Sequence, residues 1–275
     1  CRDIPMKITF LGGGNMAAAL IGGLVKQGFS AADVQVVELF AEGRAKLQSL
    51  FGVRAVEALD DAALACDVLV LAVKPQQLKA AVAPLAGRLT NQVVVSIAAG
   101  LRLADIGRWL GDYRKLVRAM PNTPALIGAG ITGLFADASV DAEGRAAAEK
   151  VLSAVGSTVW VPDEAQIDGV TAISGSGPAY VFHFIECLQA SGEALGFDAA
   201  TARRLAIDTV LGAARLAAGS DESPAVLRER VTSKGGTTAA ALASFAADGF
   251  PAVIDRGVAA AAARGRELGD ELGRD

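Results

Sequence analysis

The segment KITFLGGGNMAAALIGGLVKQ, residues 7–27, decides the fold of this chain. Lys7 to Leu11 are apolar nearly throughout, which is typical of a strand that is covered on both faces. Asn15 to Gln27 carry apolar residues at the spacing of a helix. A buried strand and a helix joined by a run of glycines predict the first unit of a parallel α/β sheet.

The glycines between this strand and this helix are suited to a phosphate group. Gly12, Gly14 and Ala17 fit the pattern G-x-G-x-x-A. Gly12 permits a tight turn, Gly14 lets the backbone approach a pyrophosphate, and Ala17 lets the helix pack closely on the strand. The free N–H groups at the start of the helix, at Asn15 and Met16, are donors for phosphate oxygens. A plain glycine turn is the alternative, but the order of strand, turn and helix favours dinucleotide binding.

Strands and helices alternate through the first half of the chain. Further apolar strands are predicted at Val34–Glu38, Val68–Val73, Gln92–Ile97 and Lys115–Ala119. Helices are predicted between and after them at Ala41–Phe51, Gln76–Leu85 and Leu103–Leu110. One more strand after Thr132, a helix over Ala142–Ala154 and a strand at Thr158–Val161 complete the series. This alternation predicts an α/β Rossmann-type domain over residues 6–161.

The remaining residues, 162–275, are predicted to form an all-α domain. Pro162 and Asp163 mark the break, and about five helices follow. The segment Val258–Ala263 is apolar all round, which calls for burial, and one small domain offers little cover for it. We therefore predict a homodimer through the helical domain. His183, Tyr180 and Phe184 lie in the apolar pattern of the first helix and are predicted to pack inside this domain.

The composition argues against several classes of protein. Lys and Arg number 26 against 30 Asp and Glu, so the chain lacks the basic field of a nucleic-acid-binding protein. Its apolar runs are far shorter than the ~20 residues of a membrane-spanning helix. Three cysteines and one histidine are too few for a structural zinc site or a disulfide scaffold. We expect no metal, no nucleic acid and no membrane.

The location of the protein is predicted from its first residues and its cysteines. Met6 opens the first organised segment, so we take it as the natural start and residues 1–5 as an extension. No hydrophobic signal segment precedes Met6, and the cysteines show no disulfide spacing. A soluble, cytoplasmic protein is expected.

Glu38, at the end of the second predicted strand, bears on the choice of cofactor. An acidic side chain here commonly binds the ribose hydroxyls of the adenosine and favours NADH. Arg44 and Lys46 on the following helix offer positive charge for a 2′-phosphate and favour NADPH. A solvated strand end is a third interpretation. These residues alone leave the preference open.

Six segments in order give the chain a family resemblance. They are FLGGGNMAAA at 10–19, AVKP at 72–75, SIAAG at 96–100, RAMPNTPA at 118–125, SGSGPAY at 174–180 and GGTT at 235–238. Together they resemble pyrroline-5-carboxylate reductase, and the likeness covers essentially the whole chain from Met6. RAMPNTPA and SGSGPAY are not general features of dinucleotide-binding folds, so the resemblance is specific.

The resemblance implies the reduction of (S)-1-pyrroline-5-carboxylate to L-proline, the last step of proline biosynthesis, with NADPH or alternatively NADH. It implies a helical dimerisation domain and leaves the assembly of dimers into rings open. The implied cofactor-binding residues are Gly12, Gly14, Asn15, Met16, Glu38, Ala72, Lys74, Pro75, Ala98 and Asn122. The implied substrate-binding residues are Met120, Asn122, Ser233, Gly235, Gly236, Thr237 and Thr238.

Thr238 is the implied catalytic residue, since the resemblance credits this position with the hydrogen bond to the imine nitrogen. A hydroxyl donor is the simplest contribution where no His, Cys or Lys stands out as an acid. Thr237 and Thr238 also stand in the first turn of a predicted helix, where threonine can simply cap. Lys74 is interpreted as a charge or hydrogen-bond partner and not as a proton donor.

Two positions depart from the family pattern. Lys234 stands where proline normally precedes the glycine pair, and Glu38 stands where many members carry a small polar residue. Two other functions remain as alternatives. One is a dehydrogenase for a hydroxyacid or prephenate, for which His183 and Lys234 are the sparse acid/base candidates. The other is a sensor that binds the nucleotide without turnover.

Overall fold

The chain forms two compact units in a computed structural model that describes residues 6–274. The extension predicted at residues 1–5 lies outside the described residues. The first unit runs up to Ser176 and resumes at Ala261, and the second comprises Gly177–Ala260. The predicted domain boundary between residues 161 and 162 stays a prediction.

The first unit is built on a sheet of eight strands in the order β3-β2-β1-β4-β5-β6-β7-β8. The strands are β1 (Ile8–Leu11), β2 (Val34–Val37), β3 (Arg54–Val56), β4 (Val68–Leu71), β5 (Val93–Ser96), β6 (Leu116–Met120), β7 (Gly130–Ala136) and β8 (Gly156–Trp160). The six strands β1 to β6 pair in parallel, whereas β7 runs antiparallel to β6 and parallel to β8. The predicted Rossmann-type sheet is confirmed. Only the short edge strand β3 was not predicted.

Helices cover this sheet on both faces. They are α1 (Asn15–Lys26), α2 (Ala41–Phe51), α3 (Asp61–Leu64), α4 (Pro75–Val82), α5 (Leu103–Trp109), α6 (Ala142–Leu152) and α7 (Gln166–Val170). All five helices predicted in this region are present, and the short helices α3 and α7 are additional.

Two apolar clusters, one on each face of the sheet, form the core of the first unit. Alternate strand residues such as Phe10 and Val70 belong to one cluster with Leu20 of α1, and Leu69 belongs to the other with Ile106 of α5. All five side chains are completely buried. Each such burial contributes roughly 1.5–3 kcal/mol, so the sheet holds its strand ends as a rigid edge.

The second unit is helical, as predicted. It contains α8 (Gly177–Ala194), α9 (Ala199–Ala218), α10 (Pro224–Arg230) and α11 (Thr237–Ala247), and it shares α12 (Phe250–Leu272) with the first unit. The side chain of Asp198 accepts a hydrogen bond from the Thr201 N–H at 3.0 Å and caps α9. Gly196, with φ +95°, follows the end of α8. Both boundaries follow the sequence prediction.

This unit buries almost none of its apolar side chains. Of residues 177–260, all of which the structure describes, only Ala202 and Ala206 are buried. Tyr180 and Phe184 are exposed, and the His183 side chain is 76% exposed and contacts Glu186. The prediction that these three residues pack inside the domain is wrong for a single chain, because its helices offer no further layer to cover them. No residue of the predicted buried stretch 258–263 is buried either.

None of the described helices alone is long and apolar enough to cross a membrane. The pair α11 and α12, bent by 54° at its junction, meets the test of length and composition only when the two helices are taken together.

Candidate active site

The carboxyl edge of the parallel strands brings most of the predicted cofactor residues together. Gly12 follows β1, Glu38 follows β2, Ala72 follows β4, Ala98 lies beyond β5, and Met120 ends β6. The chain order reverses between the neighbouring strands β1 and β4, which is the switch point where such sheets bind nucleotides. The sheet therefore places these residues along its carboxyl edge in the first unit.

The glycine turn after β1 has the shape expected of a phosphate-binding loop. Gly12 has φ +101°, and a Cβ there would lie 2.8 Å from the Ala72 carbonyl oxygen, so only glycine fits. A Cβ on Gly14 would meet no atom within 4 Å, which leaves open space beside the backbone. Gly14 is the N-cap of α1 and no side chain caps this helix. The first-turn N–H groups, including those of Asn15 and Met16, are not capped by a side chain and are available as donors to an anion such as a diphosphate.

The Glu38 carboxylate accepts hydrogen bonds from two backbone N–H groups. Its Oε2 accepts a hydrogen bond from the Gly13 N–H at 2.9 Å, and its Oε1 accepts one from the Phe40 N–H at 2.9 Å. Each carboxylate oxygen keeps a lone pair for a further donor such as a ribose hydroxyl. The carboxylate also fixes the glycine turn to the end of β2, a role that the sequence did not indicate.

The guanidinium group of Arg44 is hydrogen-bonded and ion-paired within the protein. Its Nη1 donates to the carbonyl oxygens of Glu38 and Leu39 at 2.8 and 2.7 Å. Its Nη2 lies 3.5 Å from Glu57 Oε2. Arg44 therefore stabilises the end of β2. Lys46 is exposed on α2.

The turns after β4 and β5 carry the next predicted residues. Lys74 is exposed and is the N-cap of α4. Pro75 occupies the first turn, where a backbone N–H would have no acceptor within the helix, so proline loses no hydrogen bond. Ala72 N–H donates to the Leu11 carbonyl at 2.8 Å, which ties this turn to the glycine turn. Ala98 is buried and its N–H donates to Ser96 Oγ at 3.3 Å.

Met120 and Asn122 lie where β6 ends and are the predicted neighbours of the hydride site. Both polar atoms of the Asn122 side chain have partners within the protein. Nδ2 donates to the Ser174 carbonyl at 3.1 Å, and Oδ1 accepts from the Ile131 N–H at 2.9 Å. The roles of Asn122 in binding substrate and cofactor stay predictions.

Arg118 is a residue of this region that the site prediction omitted. It is 3% exposed in β6, and its guanidinium lies 3.0 Å from Asp168 Oδ1 and 3.3 Å from Glu164 Oε1. Removing one partner of such a buried pair leaves an uncompensated charge, so Arg118 anchors α7 to the sheet. The sequence feature that could have indicated this buried ion pair is an arginine inside an otherwise apolar strand.

The predicted substrate residues from Ser233 to Thr238 form a tight turn and the start of α11 in the second unit. Gly236 N–H donates to the Ser233 carbonyl at 3.0 Å, and Gly235 has φ +72°. This is the geometry of a type II turn with glycine at its third position. Lys234 occupies the second position, where proline is favoured, which explains the family habit that this chain departs from.

Thr237 and Thr238 begin α11 without capping it. The N-cap is Gly236, and no side chain makes the cap hydrogen bond. Capping, the ordinary alternative for these threonines, is thus not their role in the structure. The N–H groups of the first turn are available to an anion such as a carboxylate, and the Thr238 hydroxyl to a neighbouring acceptor.

Two partly buried groups with shifted pKa values lie at the opposite edge of the sheet. Burial raises the pKa of the Cys66 thiol, which precedes β4. Burial likewise raises the pKa of Tyr113, which precedes β6, to about 12. Both shifts favour the neutral thiol and the neutral phenol over their charged forms. Within residues 6–274, no three His, Cys, Asp or Glu side chains are grouped to hold a metal ion.

Two family models match the chain. Residues 7–100 match a model described as NADP oxidoreductase coenzyme F420-dependent, and residues 164–268 match one described as pyrroline-5-carboxylate reductase dimerisation. Together they cover the glycine turn and the loop before α11.

Individual relatives match over nearly the full length. A pyrroline-5-carboxylate reductase of Pseudomonas aeruginosa is 49% identical over 98% of both chains. The solved structure of a pyrroline-5-carboxylate reductase from Coxiella burnetii is 40% identical, with a TM-score of 0.92 over 96% of this chain and 98% of that one. A Plasmodium falciparum pyrroline carboxylate reductase, solved with NADP bound, is 26% identical, with a TM-score of 0.84 over 96% of this chain and 98% of that one.

Proposed function

Since the chain belongs to the pyrroline-5-carboxylate reductase family, we propose that it reduces (S)-1-pyrroline-5-carboxylate to L-proline, the last step of proline biosynthesis. The observation that carries the proposal is a pair of uncapped helices. α1 and α11 each begin at a glycine, and no side chain makes the cap hydrogen bond at either start. One start suits a diphosphate and the other suits a carboxylate.

The residues at the sheet edge fit a dinucleotide. Gly12, Gly14, Asn15 and Met16 would hold the diphosphate, and the open space beside Gly14 matches that use. Glu38 would hold the adenosine ribose, and the rest of the cofactor would extend along Ala72, Lys74, Pro75, Ala98 and Asn122. A bound NADPH, or NADH as the alternative, would supply the hydride. The NADP bound in the Plasmodium relative supports NADPH as the cofactor, whereas the acidic side chain of Glu38 favours NADH.

The loop from Ser233 to Thr238 would bind the substrate carboxylate. Its first-turn N–H groups supply hydrogen-bond donors, and Lys234 adds a positive charge beside them. Met120, which ends β6, is the predicted substrate neighbour that we retain in the first unit. The predicted substrate contact of Asn122 is not part of the proposal, because both polar atoms of its side chain are already hydrogen-bonded within that unit. Thr238 would donate its hydroxyl hydrogen to the imine nitrogen, which makes the adjacent carbon a better hydride acceptor.

The homodimer predicted from the sequence is part of the proposal. The family model matched by residues 164–268 is one for dimerisation, and residues 177–260 leave large apolar side chains exposed. A second copy that covers these side chains would give the helical unit the core that one chain lacks. Rings of dimers and the cytoplasmic location stay predictions.

The test is steady-state oxidation of NADPH and of NADH with racemic pyrroline-5-carboxylate. A five-membered cyclic imine without the carboxylate, 1-pyrroline, is the matched control. We expect turnover only with the carboxylated imine, because the loop before α11 recognises the carboxylate. The ratio of the two cofactor rates then reports on Glu38. Cofactor binding without turnover would contradict the proposal and favour a sensor or another substrate.

A further inference from the structure

The helical segment after α7 widens into a π-turn. Thr171–Gly175 form this turn, and the Ser176 N–H donates to the Thr171 carbonyl at 2.8 Å, five residues back. A single π-turn inside helical structure is unfavourable in itself and is frequently found at functional sites. The last two residues of the turn, Ser174 and Gly175, are also the first two of the segment SGSGPAY.

The π-turn packs directly on Met120. A Cβ on Gly175 would lie 2.6 Å from Met120 Cε, so the turn approaches this side chain as closely as glycine permits. Thr171 faces the same place, since its Cγ2 would lie 3.6 Å from that Cβ. The position of the Met120 side chain therefore depends on where the π-turn lies.

The Asn122 side chain connects the π-turn to the sheet. It is 8% exposed, and its two polar atoms serve two different segments. Nδ2 donates to Ser174 in the π-turn, and Oδ1 accepts from Ile131 in β7. An amide can satisfy a carbonyl and an N–H at once, which a carboxylate or a hydrocarbon of the same size cannot do.

We propose that Asn122 is a positioning residue, whose amide fixes the π-turn and the start of β7 and through them holds Met120 beside the hydride site. The inference rests on the proposed function, because Met120 matters only if the reduced nicotinamide and the imine meet there. It replaces direct substrate binding as the reason for asparagine at this position.

The consequence is a selective loss of turnover. The groups proposed to bind the diphosphate and the substrate carboxylate lie in other loops, and both polar atoms of Asn122 are already bonded within the protein, so we expect the two affinities to depend little on Asn122. Hydride transfer requires close alignment, and a misplacement of about 1 Å can cost on the order of 100-fold in rate. A defect in Asn122 lowers kcat and leaves the KM values nearly unchanged.

The first experiment compares Asn122→Asp with Thr171→Val. The aspartate keeps an acceptor for the Ile131 N–H but places an oxygen against the Ser174 carbonyl. The control removes the hydrogen bond from Thr171 Oγ1 to the Ile167 carbonyl, 2.8 Å in length, within the same turn and leaves the Asn122 amide intact. We expect kcat to fall roughly 10- to 100-fold in Asn122→Asp, with both KM values within about threefold of wild type. Thr171→Val should stay within about twofold in kcat.

The second experiment measures amide hydrogen exchange in residues 131 and 171–176. Exchange should speed up at least about fivefold in Asn122→Asp relative to wild type and to Thr171→Val. If the aspartate variant fails to fold, Asn122→Ala takes its place in both experiments. Unchanged exchange, an unchanged kcat, or a KM that rises while kcat is kept would each overturn the positioning role. If the wild-type protein does not turn over the imine, the proposed function is contradicted. The amide hydrogen exchange rates still show in that case whether Asn122 holds the π-turn.

Discussion

The sheet unit and the helical unit differ in how far they bury their apolar side chains. In the sheet unit, β1, β4 and β5 are buried at every position, and two clusters fill the space under the helices. In residues 177–260, two alanines are the only buried residues, although the unit carries phenylalanines, leucines and valines. The sheet unit has a core of its own, whereas the helical unit leaves its apolar side chains uncovered in the single chain.

This difference matters for the two candidate loops. The glycine turn after β1 is held by two hydrogen bonds within the sheet unit, from the Gly12 N–H to the Val37 carbonyl of β2 and from the Gly13 N–H to the Glu38 carboxylate. The loop before α11 belongs to the unit without a core of its own. We therefore expect cofactor binding to tolerate loss of the dimer, and substrate binding to depend on it.

The largest effect is expected from Gly14→Val in the sheet unit. The side chain would enter the open space beside the glycine turn and block the diphosphate, so NADPH affinity should fall by more than about 100-fold. The melting temperature should stay near that of wild type, because a Cβ there meets no atom within 4 Å. Calorimetric titration with NADPH checks the first expectation, and Gly14→Ala should be intermediate. Normal NADPH affinity in the valine variant would refute the phosphate-loop assignment.

Phe182→Asp tests the helical unit at a side chain that is 66% exposed within the chain. If a second copy covers Phe182, the buried charge should dissociate the dimer at micromolar concentration and lower the melting temperature. Leu50→Asp is the matched control, since Leu50 is 60% exposed on α2 of the sheet unit. Sedimentation velocity separates the two variants. Equal association in both would mean that the exposed apolar residues of the two units do not differ in role.

Thr238→Ala should lower kcat by roughly tenfold, if one hydrogen bond of about 1.5 kcal/mol is lost from the transition state. Thr238→Ser keeps the hydroxyl and should restore most of the activity. The measurement is steady-state turnover of the carboxylated imine at saturating cofactor. Wild-type kinetics in the alanine variant would remove Thr238 from the mechanism.

Glu38→Ser should raise the ratio of kcat/KM for NADPH over NADH by several-fold, about 1 kcal/mol, because a carboxylate near a 2′-phosphate repels it. Glu38→Gln removes the charge but keeps an acceptor for one of the two backbone N–H groups. It therefore separates repulsion from the holding of the glycine turn. An unchanged cofactor ratio in both variants would mean that Glu38 does not face the ribose.

Lys234→Pro should have the smallest effect and should stabilise the helical unit. Lys234 is the second residue of the turn from Ser233 to Gly236, and the only non-glycine residue with positive φ in the described chain is Asp112. Proline fits such a position and should add roughly 0.4–1 kcal/mol to the free energy of unfolding. Urea denaturation at fixed protein concentration measures it, with Lys234→Ala as the reference. A loss of stability would show that the turn needs the Lys234 N–H.

Local sequence patterns predicted the sheet unit well. The strand, glycine turn and helix around Gly12 carry their own signal, and so do the apolar strands, because both faces of a central parallel strand are buried by the same chain. The strand Arg54–Val56 was missed because it has three residues at the edge of the sheet. The edge of the sheet that carries the predicted cofactor residues could be predicted from the positions where the strands end.

The same patterns failed where distant residues decide the structure. Arg118 meets Asp168 across 50 positions, and Asn122 meets Ser174 across 52, so no local window contains either contact. Periodicity also indicates that Phe184 and Tyr180 prefer burial, but it does not say whether this chain or a second copy buries them. The error over His183 has that origin, since an apolar pattern was taken as evidence for a core within one chain.

The most direct test of the contrast between the two units is the mass of the wild-type protein by sedimentation equilibrium, together with its melting temperature over a hundredfold range of concentration. We predict a dimer of 27.9 kDa chains, or a multiple of it, and a melting temperature that rises with concentration. A fully active monomer whose melting temperature is independent of concentration would contradict the inference that a second copy completes the helical unit.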